Sequence, residues 1–187
     1  MDSKNKTGFV VVQDGNPRGK EVTHEDVKQG ILDMYNWFTT NASDIANALK
    51  STKGATPDEI KKLSETIKSA VPQTLEWLLS TYNGNFLLRD NYKTLSVDKI
   101  LEAIDNCQVY GYWKKSYIPF AADDEQNYLC LEHDNGKEIK IVSWCADMGV
   151  IEDVEDSLGL LIERVRDGLL KKKIQYIEGA GLVEDSK

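Results

Sequence analysis

The hydrophobic period of this chain changes near Cys107, and that change constrains the fold more than any other feature. Upstream, apolar residues recur at helical spacing. From Cys107 onward, "CQVYGYWKKSYIPFAAD", "NYLCLEH" and "EIKIVSW" are rich in aromatic and β-branched residues and read as strands. Asp134-Asn135-Gly136 lies between the last two and carries the turn chemistry of a tight hairpin, so these neighbours pair antiparallel. The helical period then returns in "DSLGLLIERVRDGLLKKK", where Leu158, Leu161, Ile162, Val165 and Leu169 share one face and Lys171 to Lys173 suit the negative helix end. This order predicts an α+β fold: an antiparallel meander with helices packed on one face.

The helices upstream have legible starts. In "THEDVKQGILDMYNWFTTN", Thr23 is the expected N-cap with Asp26 at the third helical position, and Val27, Ile31, Met34 and Phe38 recur at helical spacing. In "TPDEIKKLSETIKSA", Thr56, Pro57 and Glu59 make a capping box with proline at the first helical position. Pro72 ends or restarts that helix, and Leu75, Leu78, Leu79 and Tyr82 continue the stripe to Asn83-Gly84, where Gly84 suits a left-handed cap. A short strand, a loop and a helix capped by Ser96 follow. The opening "GFVVVQDGNPRG" reads as a strand and turn, and "NASDIANALKSTKGA" as a polar connection. We therefore divide the chain into an N-terminal strand-helix extension (1–54), a main domain (55–172) and a tail (173–187).

Charge and cysteine content narrow the function classes. With 23 Lys+Arg against 31 Asp+Glu, the net charge of −8 repels nucleic acid and anionic lipid and attracts basic partners. The apolar run Phe9 to Val12 is too short for a signal-peptide core, and no later run reaches membrane-spanning length, so the expected location is cytoplasmic. Cys107, Cys130 and Cys145 are widely spaced and odd in number, which fits reduced core thiols and not a disulfide framework or a metal knuckle.

Three ordered stretches carry a resemblance. "AVPQTLEWLLSTYNGNFLL", then "YIPFAADDEQNYLCLEHDNGKEIKIVSW", then "DSLGLLIERVRDGL" resemble the SUKH superfamily, the SMI/KNR-type domain, over about Ala55 to Lys172. The segment Asn85 to Asn106 is long against that family's spacing, and the front end has no counterpart in it. The resemblance implies a non-enzymatic protein-binding domain. Members include immunity proteins that neutralise toxins, often nucleases, and interaction modules in cell-wall regulators and in adaptor or cytoskeleton-associated proteins. The fold is shared more securely than the partner.

The residues themselves offer little for catalysis. The two histidines, His24 in a first helical turn and His133 at a hairpin tip, read as ordinary exposed residues without a nucleophile or zinc spacing. "ADDEQN" and "IEDVEDS" lack the pattern of a calcium loop and read as a solvated loop and a helix-start cluster. "EGAGLVE" lacks the context of a phosphate loop and reads as linker or docking peptide. Tyr110, Tyr112, Trp113 and Tyr117 cluster around Lys114-Lys115, and strand alternation allows only part of that set to face the core. The candidate partner-binding residues are Tyr82, Asn83, Tyr112, Trp113, Tyr117, Asp123, Asp124 and Glu125; the corner and the Asp123-Asp124 loop are expected to frame one groove. Gly84, Pro119 and Trp144 are expected to be structural, with no cofactor and no metal. The expected partner is a protein, with a basic one favoured by the net charge, bound either within a larger assembly or as a toxin neutralised one-to-one.

Overall fold

The computed structural model describes residues 22–185, and the expected strand around Phe9–Val12 lies outside them. Helix α1 (His24–Asn41) starts at a complete capping box: the Asp26 N–H donates to Thr23 Oγ1 at 3.2 Å and the Thr23 N–H to Asp26 Oδ2 at 2.9 Å. Val27, Ile31, Met34 and Phe38 are buried. The sequence reads residues 41–55 as a polar connection; the structure instead forms α2 (Ser43–Ser51), which buries Ile45, Ala46 and Leu49. Three apolar positions in so short a helix give little periodic signal.

Helices α3 (Pro57–Ile67) and α4 (Gln73–Thr81) form where the capping box and Pro72 place them. β1 (Leu87–Arg89) and β2 (Tyr92–Thr94) then make a small hairpin where the sequence suggested one strand and a loop. Helix α5 (Val97–Cys107) is capped by Ser96 as expected. Strands β3 (Tyr117–Ala122), β4 (Tyr128–Asp134), β5 (Lys137–Cys145) and β6 (Gly149–Glu155) complete a six-stranded antiparallel sheet in the order β1-β2-β3-β4-β5-β6. The β4–β5 turn has positive φ at both Asn135 (47°) and Gly136 (82°), the backbone that a two-residue hairpin requires. Helix α6 (Leu158–Leu170) starts at Ser157, packs along α1, and buries Leu158, Leu161, Ile162, Val165 and Leu169.

The sheet curls until its two edges approach, for Arg89 Nη1 on β1 lies 3.0 Å from Glu152 Oε1 on β6. Its helix-side face presents Ile118, Phe120, Leu129, Leu131 and Ile141 to a core shared with α1, α2, α3, α4, α5 and α6. The reverse face carries a separate, smaller cluster of Tyr117, Cys130, Val142 and Trp144, reached by Cys107 at the end of α5.

Three further expectations are corrected. Cys107 ends a helix instead of beginning a strand, and residues 108–116 form turns; their aromatic content mimics strand propensity, although here it serves packing from a loop. "IEDVEDS" belongs mostly to β6, an edge strand whose exposed carboxylates suit an edge. The tail forms a hairpin of β7 (Ile174–Ile177) and β8 (Gly181–Glu184), bridged to the turn just after β1 by the Asp90–Leu182 pair. Pro119 sits in β3 opposite Cys130, next to a register shift and beyond the residues that pair with β2, so its missing N–H disrupts no ladder there.

Candidate functional site

The Asn83-Gly84 corner is a structural knot. The Asn83 carboxamide accepts the Val97 N–H at 2.8 Å and donates to Glu59 Oε1 at 3.2 Å, while its own N–H donates to the Lys53 carbonyl at 2.9 Å. One side chain thus ties the start of α3 to the start of α5. Gly84 has φ +105° and is buried, and a β-carbon there would lie 3.0 Å from the Ser96 nitrogen. It does not cap α4 directly, because the cap position is Tyr82 in extended conformation. Tyr82 is half-buried, stacked at 6.1 Å on Tyr35 and tilted at 5.4 Å against Phe86.

The predicted acidic residues have divided roles. Asp123 is a loop organiser: its carboxylate accepts the N–H groups of Glu125 (3.0 Å) and Asn127 (2.8 Å) and the Asn127 carboxamide (2.9 Å). Asp124 and Glu125 are exposed. The expected shared groove with the corner does not form as drawn. Asp124 lines a small cleft with Asp44 and Ile45 of α2, Lys93 of β2, and Tyr176 and Glu178 of the C-terminal hairpin, whereas Asn83 does not. Within that cleft the Tyr176 hydroxyl donates to Asp44, which holds the Asp44 carboxyl below its ordinary range.

The aromatic set assembles around Trp144. Its indole is fully buried although it lies on the sheet face away from the helices, so something else must cover it. The turns at 108–113 do so, bringing Trp113, Tyr110 and Tyr112 to 5.1, 5.8 and 5.9 Å between ring centroids, with Tyr128 at 6.2 Å from the strand side. The Tyr112 hydroxyl donates to the Ala146 carbonyl, and Tyr110 stacks on Tyr112. The cover is incomplete: Tyr110 is 37% and Tyr112 44% exposed. Trp113 is half-buried, and Tyr117, a predicted contact residue, is only 2% exposed, so its ring packs inward against Trp113 and offers little to a partner.

Three neighbours escaped the sequence reading. Val109 and Met148 are 77% and 70% exposed, and Val150, paired with Trp144 across β5–β6, is 43% exposed on the same face. Their signal was slight: single apolar residues in polar turns, as in "ADMGV". Val109 adjoins Tyr110 in the chain, and Met148 and Val150 flank Gly149, where a β-carbon would lie 2.9 Å from the Tyr112 ring, so these exposed apolar residues gather about the two tyrosines; nearby, the Lys114 ammonium lies 2.9 Å from Glu132 and over the Tyr117 ring.

The titratable groups near this face are quiet. Burial pushes the Cys107 thiol up to about 11 and raises Cys130 well above the ordinary thiol range, so both stay protonated. His133 is 6% exposed rather than free, with its ring accepting the Gly136 N–H at 3.4 Å, and burial lowers its pKa. Half-buried His24 packs edge-on against Trp77 at 5.9 Å. Among the described residues no group of His, Cys, Asp and Glu is arranged to hold a metal ion, and no helix is long and apolar enough to cross a membrane.

No curated protein matches this chain. A family model described as SMI1 / KNR4 family (SUKH-1) matches residues 54–164, more than half of the sequence. The match takes in the Asn83 corner, the six-stranded sheet and the turns over Trp144, and it leaves α1, α2 and the C-terminal hairpin outside. The chain belongs to the SMI1/KNR4 (SUKH-1) family.

Proposed function

We propose that this protein is a non-catalytic binding module, an interaction or structural subunit of an intracellular assembly, and that it docks its partner on the patch around Tyr110 and Tyr112. The observation that carries this reading is the contrast at Trp144. A fully buried indole is roofed by tyrosines that remain more than a third exposed beside Val109, Met148 and Val150. Tyrosines held in place by the stack beneath them give contact area at low entropic cost, the composition that concentrates binding energy at interfaces. Membership of the family supports a protein-binding role for the domain.

A second reading, a one-to-one immunity protein against a basic toxin, is favoured by the net charge of −8 and by exposed Asp124, Glu125 and Asp153. Charge-dominated binding of that kind weakens with salt, whereas an apolar patch does not. The experiment is a tagged pull-down from the native source at low and moderate salt, comparing the wild-type chain with a Tyr110→Ser/Tyr112→Ser variant. Partners that survive salt but are lost from the variant support the patch. A single basic partner released by salt and indifferent to the tyrosines supports immunity.

A further inference from the structure

The face that carries Trp144 and its tyrosine roof is bounded by opposite charges. Lys115 and Asp147 are exposed, and neither has an ion-pair partner among the described residues, in contrast to Lys114, which Glu132 holds. They stand at opposite ends of the strands. Lys115 lies in the turn before β3, whose first residue, Tyr117, is opposite Glu132. Asp147 lies in the β5–β6 turn, next to the Ala146 carbonyl that accepts the Tyr112 hydroxyl. Trp144 is opposite Tyr128, four residues back along β4 from Glu132, so about 13 Å of strand separates the two levels, with the roof between the charges.

A partner that covers this face must be apolar in the middle, with a carboxylate at the Lys115 end and a cation at the Asp147 end. The chain itself carries that pattern. A two-fold axis through the middle of the face reverses the order of its charges, so each Lys115 meets the Asp147 of the other copy while the two apolar centres meet each other. Val109 and Met148, at 77% and 70% the most exposed of the apolar residues there, are the side chains that such a contact dries. A uniformly basic partner fits less well, because it opposes Lys115. The net charge of −8 makes two copies repel at long range, so the apolar centre must supply most of the attraction, and the two charge pairs set the orientation.

Resting on the reading of this face as a docking surface, we propose that a second copy of the chain occupies it when no other partner does, in a symmetric dimer that pairs Lys115 with Asp147 at both ends. The dimer masks Tyr110 and Tyr112, and another partner reaches them by displacing it.

The test is sedimentation equilibrium of the full chain across the micromolar range at low salt, for the wild type, Lys115→Glu, Asp147→Lys and an equimolar mixture of the two variants. Both positions are exposed turn residues, so the variants keep the fold. The wild type should dimerise, and each variant alone should raise the dimer Kd about tenfold or more, Asp147→Lys included although it makes the chain less acidic. The mixture should recover the wild-type Kd, because in a mixed dimer every cation again meets a carboxylate. A wild type that stays monomeric throughout would overturn the proposal, as would a mixture that associates no better than either variant alone. Docking of other partners is read separately. Native partners captured equally well by Tyr110→Ser/Tyr112→Ser would remove the docking role and leave a dimer restored by the mixture standing, whereas a monomeric wild type whose partners are lost from that variant would remove the dimer alone.

Discussion

The two faces of the sheet are built from different materials. On the helix side, Ile118, Phe120, Leu129, Leu131 and Ile141 are fully buried beneath a layer of helices; on the reverse side, Trp144 is equally buried but beneath a loop whose tyrosines remain open to solvent. On the helix side a regular layer does the burying, whereas on the reverse side stacked aromatics seal Cys130, Val142 and Trp144 and still present a face. The helix side therefore supports the fold, and the reverse side has area to spare for binding.

The largest way to break this comparison is Phe120→Ala, which removes a ring from the closed side and should destabilise the protein by about 3–5 kcal/mol, read as a fall in the denaturant midpoint. Next is the knot beneath the corner. Asn83→Leu leaves the Val97 N–H without its acceptor and should cost about 1–3 kcal/mol, with partner binding by the folded fraction unchanged.

A smaller effect comes from pH. Burial lowers the native pKa of His133 below the ordinary 6.5, so the unfolded chain takes up the proton first. Its contribution is therefore complete above pH 6.5 and declines as pH falls through that value. The raised carboxyl of Glu138, its neighbour across the hairpin, works in the opposite sense, because protonation of that buried group favours the native state as pH falls. His133→Gln should consequently flatten the decline between pH 7 and 6, checked by urea midpoints across that range. The smallest stability effect should belong to Tyr110→Ser/Tyr112→Ser, within about 1 kcal/mol, since both rings are partly exposed. A collapse of the fold in this variant would mean that the roof over Trp144 is as structural as Phe120.

Much of the closed side was legible in advance. Thr23, Thr56 and Ser96 are polar caps set before apolar periodic runs, and Asn135-Gly136 permits few alternatives to a hairpin. These are local signals, written in adjacent residues. The open side is not local. Tyr112 owes its position to Trp144 and Ala146, more than thirty residues away, so strand propensity misread its segment and placed Tyr117 outward when it points in. The acidic run in β6 misled for a similar reason: an edge strand tolerates charges that would mark a loop elsewhere. Asn83 was noticed as a turn, but its partners Glu59 and Val97 could come only from the tertiary structure.

The most direct test of the binding surface is oxidative side-chain footprinting of the full chain, alone and in complex with its co-purified partner. Met148, Tyr110 and Tyr112 are reactive and exposed, and the account predicts that all three become protected in the complex while Leu32 and Leu170, exposed on the helix layer, keep their free rates. Protection confined to the helix layer, with Met148 and Tyr112 oxidised at their free rates, would contradict it.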